Sequence, residues 1–490
     1  MGKTANFLAF DLGAESGRAM LGGFDGEHLE LSEVHRFPNR PVRLHDGLHW
    51  DVLSIWSAIK QGMAAAAPYQ PLSAGLDTWG VDFGLLDEAG ILIGNPYHYR
   101  DSRTDGMVEE AFRIAGKAAI FEQSGIQFLP INSLYQLLAM VRQRSPVFKI
   151  ARTFLTMPDL FNYWLSGCKV SEFTIATTTQ CYDPQKGGWA IPLLEKLEIP
   201  THIFPEIVQP GTVIGDLRPE LADEVGVAPF PIVAPACHDT GSAVAAIPAQ
   251  DEHFAWISSG TWSIMGAVTP GPVINPASLA ANMTNEGGIG GTFRFSRNVM
   301  GLWLVQQCQR TWAQAGEEFS YEELTGMAGA AAPFRAILNP DAPEFLPPGD
   351  MPGRINHFCQ ATGQPVLEDK GAMIRTILES LALKYRWVLA RLEAILGYRL
   401  DPIHIVGGGT QNRLLSQFTA DATGRVVIAG PVEATAYGNL LAQMMARGDL
   451  ASLVEGRELV RRSTGVQVFE PSADQSAWDA AFARLLEIGV

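Results

Sequence analysis

Residues 11–18, DLGAESGR, set one acid and one base around a run of small residues, directly after the apolar stretch FLAF. Asp11 at a strand end could hold a hydrated Mg2+, which takes one or two carboxylates plus phosphate oxygens. Ala14 to Gly17 are small enough to let backbone N–H groups approach a phosphate, and Ser16 and Arg18 add donors. The stretch has neither the lysine of a P-loop nor the spacing of a dinucleotide fingerprint. Glu15 opposes a phosphate unless it faces solvent or metal-bound water. The same residues also describe an ordinary hairpin turn with Asp11 as the turn-former.

Four other stretches carry comparable chemistry. SSGTWS (258–263) groups four hydroxyls, including that of Thr261, about a glycine that could cradle β- and γ-phosphates. VGGGTQN (406–412) fails the G-x-G-x-x-G pattern because Asn412 stands where the third glycine belongs. Its three glycines offer either a bare surface for a base or ribose or a tight strand–helix turn. In ACHDTGSAVAA (236–246), Asp239 opens a small-residue helix, as an N-cap or as a general base for a hydroxyl attacking a γ-phosphoryl group. In LDTWGVD (76–82), Trp79 offers a stacking face, Gly80 permits close approach, and Asp77 or Asp82 could accept sugar hydroxyls. A half-buried strand with its acids exposed accounts for those residues equally well.

The elements that must position these groups repeat. FLAFDLGAESGRAMLGGF and FAWISSGTWSIMGAV (254–268) share one plan of apolar strand, tight polar turn and apolar strand, about 250 residues apart. A duplicated domain follows, with a boundary around 243–253. Ile55, Trp56, Ile59 and Met63 sit at helical spacing after Asp51, a candidate N-cap. Residues 72–94 read as strand segments closed by a turn at 87–90. A long apolar face from Ile374 to Leu396 predicts one helix ended by Gly397, followed by the strand IHIV (403–406) and a helix from QNRLLSQFTADA. Prolines at 338–353 mark a surface loop. Strands alternating with helices predict an α/β architecture of two lobes with a cleft between them.

Composition narrows the partners. A chain of 490 residues, 47% hydrophobic and 18% charged, can bury two or three cores. Its net charge of −16 and lack of basic runs argue against nucleic acid and anionic membranes. No apolar stretch approaches a membrane span, and the N-terminal run meets Asp11 too early for a signal peptide. The five cysteines lack zinc spacing and predict reduced, buried thiols in a cytoplasmic protein, Cys237 beside His238 included.

Eight segments in order, DLGAESGR, DTWGVDFGLLD (77–87), YRDSRTDG (99–106), ACHDTGSAVAA, SSGTWSIMG, TNEGG (284–288), RNVMGLWLVQQC (297–308) and VGGGTQN, resemble the carbohydrate kinases that include glycerol kinase and xylulokinase. The resemblance implies two duplicated ribonuclease-H-like (actin-like ATPase) lobes with an interdomain catalytic cleft. Residues 1–246 would form a sugar-binding lobe with the first phosphate loop, and 247–490 an ATP-binding lobe. It implies ATP- and Mg2+-dependent phosphorylation of a ketose at its terminal hydroxyl. L-Rhamnulose is the first expectation, as part of L-rhamnose breakdown. L-Fuculose and L-xylulose are alternatives, and an actin-like ATPase without a sugar is the contrasting class. By resemblance Asp239 is the base, and Trp79, Gly80, His238, Asp239, Thr240 and Asn298 meet the sugar. Ala14, Glu15, Ser16, Gly17, Arg18, Thr261, Gln306 and Gly408 meet ATP, while Asp11 organises Mg2+. Asp101 and Arg103 match a family acid–arginine pair. The chain is expected to be a monomer or homodimer.

Overall fold

Two hairpins organise the fold, each at the centre of its own sheet. The computed structural model describes residues 4–250 and 252–489. Of the expected boundary stretch 243–253, Asp251 therefore lies outside the described residues. The chain divides into two compact units: Met1–Pro248 with Val268–Phe295 and Ala434–Thr464, and Ala249–Ala267 with Ser296–Glu433 and Gly465–Val490.

In the first unit the strands Ala5–Leu12 and Ser16–Phe24 pair antiparallel, placing Asp11 opposite Arg18 and Leu12 opposite Gly17. Phe7 to Phe10 are fully buried, as an uninterrupted apolar run must be when both sheet faces are covered. The sheet order is Leu29–Pro38, Ser16–Phe24, Ala5–Leu12, Ala74–Thr78, Pro231–Ala234, Thr212–Asp216. Ala74–Thr78 runs parallel to the first strand, in a register that sets Asp77 beside Asp11. Pro231–Ala234 is parallel in turn. The helix Val52–Ala66 begins as its sequence requires, with the Asp51 carboxylate accepting the Ser54 N–H. Its Ile55, Ile59 and Met63 join the core beneath Phe10 and Leu76. A second cluster around Phe83, Leu134, Phe154 and Leu193 fills the part of this unit between residues 83 and 203.

Within 72–94 the expected turn at 87–90 forms, the Gly90 N–H donating to Asp87 O at 3.1 Å, but the strand segments before it belong to different sheets. Phe83–Leu86 leaves the main sheet and pairs with Thr153–Thr156. The break comes at Val81, whose φ of +68 is rare for a β-branched residue. The Asp82 N–H bonds to the Gly80 carbonyl across it at 2.9 Å, making a tight three-residue turn. Thr178 Oγ1 accepts the Val81 N–H at 3.2 Å, and Ser133 Oγ donates to its carbonyl.

The second unit repeats the plan. Its strand run is Phe293–Met300, Trp262–Thr269, Ala255–Ser259, Ile403–Val406, Val427–Ala429, Gln467–Phe469. The order is again third, second, first, then two strands parallel to the first and an antiparallel edge. The predicted long helix spans Lys370–Leu396 and is stopped by Gly397 at φ +81. The turn after Ile403–Val406 explains Asn412. It caps the helix Arg413–Thr423, its side chain accepting the Leu415 N–H at 2.9 Å. Among the described residues no helix is long and apolar enough to cross a membrane.

Candidate functional site

In the first unit the 11–18 turn is held from its carbonyl side. Asn39 donates its backbone N–H to Glu15 O and its side-chain amide to Gly13 O, each at 2.9 Å. Gly17 is required by packing, because a Cβ there would stand 2.2 Å from the Phe37 ring. Arg18 Nη2 binds Asp11 Oδ2 at 2.6 Å. Glu15 is exposed, which removes the objection that it would sit against a phosphate.

Three acids share this end of the sheet. Asp77, fully buried, accepts Asn439 Nδ2 on Oδ2 at 2.6 Å, while its Oδ1 has no partner. Burial, then the charge of Asp11, pushes its carboxyl well above the usual range, and Asp239 adds to the rise. Asp239 is also raised, by desolvation first and by Asp11 in addition, against the pull of His238. Among the described residues no cluster of three or more His, Cys, Asp or Glu side chains is arranged to hold a metal. A hydrated Mg2+ needs only one or two carboxylates, so Asp11, whose charge raises both neighbours, fits as a donor for it without a larger cluster.

Asp239 is the first residue of the helix Asp239–Ala245, and His238 rather than Asp239 occupies the cap position. The Asp239 carboxylate, about 30% exposed, accepts from the Thr240 backbone and hydroxyl. The backbone before it is fixed by buried groups. Cys237 N–H donates to Glu172 Oε2 at 3.0 Å, and His238 N–H to Thr174 Oγ1 at 3.1 Å. Burial raises Glu172 to about 8 and Asp159, which accepts the Glu172 N–H, to about 7. Burial also pushes the Cys237 thiol well up, the opposite of an activated nucleophile.

Trp79 and Asp82 turn inward together. Asp82 Oδ2 accepts from Trp50 Nε1, Trp79 Nε1 and Tyr99 N–H, and Oδ1 from Gln136. These four donors make Asp82 a structural anchor rather than a ready acceptor for sugar hydroxyls. Trp79 is 6% exposed and packs on Trp50 at 4.1 Å between ring centroids. Gly80 borders Thr178, whose Oγ1 would stand 3.2 Å from an added Cβ. Asp101 accepts the backbone N–H groups of Leu48 and Arg103, and Arg103 binds Gln136 and lies over Tyr97, so this pair braces the loop.

In the second unit the SSGTW turn is braced by the start of the helix Trp303–Gln314. Leu302 N–H donates to Gly260 O and Trp303 N–H to Thr261 O. This places Gln306, one turn along, on the helix whose start holds Thr261, and the Gln306 Oε1 is buried without a partner. Asn298 lies near the end of Phe293–Met300, where Asp341 accepts the Met300 N–H and pairs with the buried Lys384 at 2.9 Å. Gly409 must be glycine, since its Cβ would meet Ser259 Oγ at 2.0 Å, whereas a Cβ on Gly408 would meet nothing within 4 Å. A close-packed glycine beside an open one is a surface a planar ligand can approach.

Sequence reasoning named TNEGG without a role for it. The structure places Glu286 of that segment, and Arg294 beyond it, against His238. The available signal was a lone arginine between two phenylalanines in FRF.

Comparison with known proteins agrees with this architecture. The description "FGGY family of carbohydrate kinases, N-terminal domain" matches residues 6–246, and the corresponding C-terminal domain matches 255–447. The chain is 42% identical to a rhamnulokinase of Bacteroides thetaiotaomicron, over 97% of this chain and 98% of that one. It is 40% identical to a rhamnulokinase of Oceanobacillus iheyensis, over 93% and 96%. A xylulose kinase structure from Lactobacillus acidophilus superposes with TM-score 0.81 at 17% identity, covering 99% of this chain and 97% of that one. Plasmodium falciparum glycerol kinase with ADP gives 0.79 at 15%, covering 99% and 98%. The last two likenesses speak to fold alone.

Proposed function

This chain belongs to the FGGY family of carbohydrate kinases, and we propose that it transfers the γ-phosphoryl group of ATP to the terminal hydroxyl of L-rhamnulose, giving L-rhamnulose 1-phosphate and ADP in a cytoplasmic pathway of L-rhamnose breakdown. One observation carries the reading. Asp239, the base by resemblance, is part-exposed at the head of a helix, its proton affinity raised by burial and by Asp11. The 42% likeness to a rhamnulokinase supports the choice of ketose.

In this proposal residues 1–246 take the sugar and the first phosphate contact, and 247–490 take ATP. Asp239 accepts the proton of the sugar hydroxyl as its oxygen bonds to the γ-phosphorus and the bond to the β-phosphate oxygen breaks. A loose transition state asks for little proton abstraction early, so a carboxylate suffices. His238, Thr240, Gly80, Trp79 and Asn298 orient the sugar. The 14–18 turn, Thr261, Gln306 and Gly408 hold the nucleotide. Asp11 would hold Mg2+, which when bound neutralises phosphate charge.

The test is ADP release with Mg2+-ATP across a ketose panel. L-Rhamnulose should stimulate release most, by a wide margin, because a site built to hydrogen-bond a hydroxyl discriminates by about 10⁴-fold or more against a sugar that leaves its polar groups unpaired. Preference for L-fuculose or L-xylulose would replace the substrate, and release unaffected by any ketose would refute the kinase reading of this site.

The two glycines separate ligand contact from packing. Gly408→Ala should keep the wild-type melting temperature and raise the KM for ATP about tenfold, a loss of one modest contact. Gly409→Ala should lower the melting temperature, because the clash at Ser259 forces the turn apart. Thermal unfolding and initial rates on both variants check this. An unchanged KM in Gly408→Ala would remove Gly408 from the nucleotide site.

A further inference from the structure

Behind the proposed base lies a set of buried charges to which the reaction gives no task. Arg294 is fully buried. Its Nε donates to Gly287 O at 2.8 Å, and its Nη2 donates toward His238 Nδ1 at 3.0 Å. Glu286 Oε2 lies 3.2 Å from that same Nη2 and 3.2 Å from His238 Nδ1. A guanidinium has donors only, so the Arg294 bond is made only when Nδ1 carries no proton. Glu286 Oε2 at 3.2 Å would instead accept from a protonated Nδ1, and the two compete for the tautomer. With the Arg294 bond made, the ring proton is on Nε2, which lies 3.5 Å from Asp239 Oδ1.

The backbone that carries the ring is held separately. The His238 backbone is tied to Thr174, and the neighbouring Cys237 N–H to Glu172. Glu286 balances the buried guanidinium, whose charge in turn holds the Glu286 carboxyl below its usual range despite burial. Without Arg294, Glu286 Oε2 would be the group next to Nδ1 and would draw the ring proton to that side. Nε2 would then present a lone pair to the Asp239 carboxylate.

We infer that Arg294, held by Glu286, is a positioning residue that fixes the His238 tautomer, so that an Nε2–H donor faces Asp239 and the hydroxyl it is to deprotonate. The donor holds the carboxylate in one orientation and offers a bond to the same sugar oxygen. The inference deepens the kinase proposal and rests on its reading of Asp239 and His238.

The tautomer is read without sugar, from nitrogen shifts of 15N-histidine-labelled protein. Wild type should show His238 protonated at Nε2, and Arg294→Met should show it at Nδ1. A wild-type ring protonated at Nδ1 would overturn the inference and leave the kinase reading standing. Absence of ketose-stimulated ADP release in wild type would sink the kinase reading and leave the tautomer result intact. In kinetics, Arg294→Met should lower kcat with L-rhamnulose about 100-fold, the scale of a misplaced catalytic histidine. The KM for ATP should stay within about twofold, since that contact is made elsewhere. In a His238→Ala background the same change should cost less than about threefold, because a residue acting through His238 has nothing left to act on. Equal costs in both backgrounds would overturn the inference. Arg294→Lys, which keeps the charge but loses the planar fork that reaches Gly287 O and His238 Nδ1 together, carries the same measurements if Arg294→Met does not fold.

Discussion

Asp239→Asn should lower kcat for the ketose by about 10³-fold or more, the range a positioned general base supplies, while ATP binding measured by calorimetry stays near wild type. Asparagine has nearly the same shape and can still accept the Thr240 N–H through its oxygen, so the helix head should not move. What is lost is the ability to take a proton. Substantial residual turnover in this variant would assign the base to another group.

The electrostatics around Asp239 add a second, opposite signature. Its carboxyl is raised above 3.8, chiefly by desolvation. A carboxyl raised in the fold is favoured in its protonated form, so its contribution to stability falls as pH climbs through the folded value. At neutral pH the ionised Asp239 therefore costs stability, and Asp239→Asn should melt at the same temperature as wild type or higher. The rate behaves inversely, because only the ionised form can act as base. The acid limb of kcat/KM in wild type should break above the ordinary aspartate range. A variant that is dead and destabilised would indicate a structural role instead.

The parts of this arrangement that sequence could show are those written in local periodicity. Both hairpins, the Lys370–Leu396 helix with its glycine stop, and the Asp51 cap each depend on residues within a turn or two of one another. Likewise the failure of VGGGTQN as a dinucleotide fingerprint was visible, though its reason, a capping Asn412, needed the helix to be in place. The chain break at 79–82 was not visible, because a valine at positive φ runs against its own preference. It is held there by Thr178 and Ser133, roughly 50 to 100 residues away in sequence. The inward turn of Asp82 depends on donors from Trp50 and Gln136, which no spacing connects. Asp239 was legible as a helix-opening acid, but its neighbours Asp77, Glu286 and Arg294 meet only once separate strands are laid side by side.

Gly438→Ala should be the most damaging single methyl group in the first unit, although position 438 is not among the proposed ligand residues. The helices Asp239–Ala245 and Ala434–Arg447 cross there so closely that a Cβ on Gly438 would stand 1.8 Å from Ser242 O and 2.5 Å from its carbonyl carbon. These are backbone atoms, so no rotamer change relieves the clash. Neither helix is free to retreat. Ser242 Oγ is bonded to Ala236 O at 2.8 Å, while Asn439 holds Asp77 and Gln443 holds Leu8 O. Ordinary overpacking costs about 1–3 kcal/mol, and two pinned backbones place this case at the top of that range or beyond. For a unit of this size the loss corresponds to a melting temperature lower by about 5 °C. Any relief must come from displacing the helix that begins with Asp239, and a shift of about 1 Å in a reacting group costs about 10²-fold in rate. Gly456→Ala is the control, since its Cβ would press only on the flexible Leu441 side chain at 3.0 Å. Wild-type melting and wild-type kcat in Gly438→Ala would mean that this crossing does not set the position of Asp239.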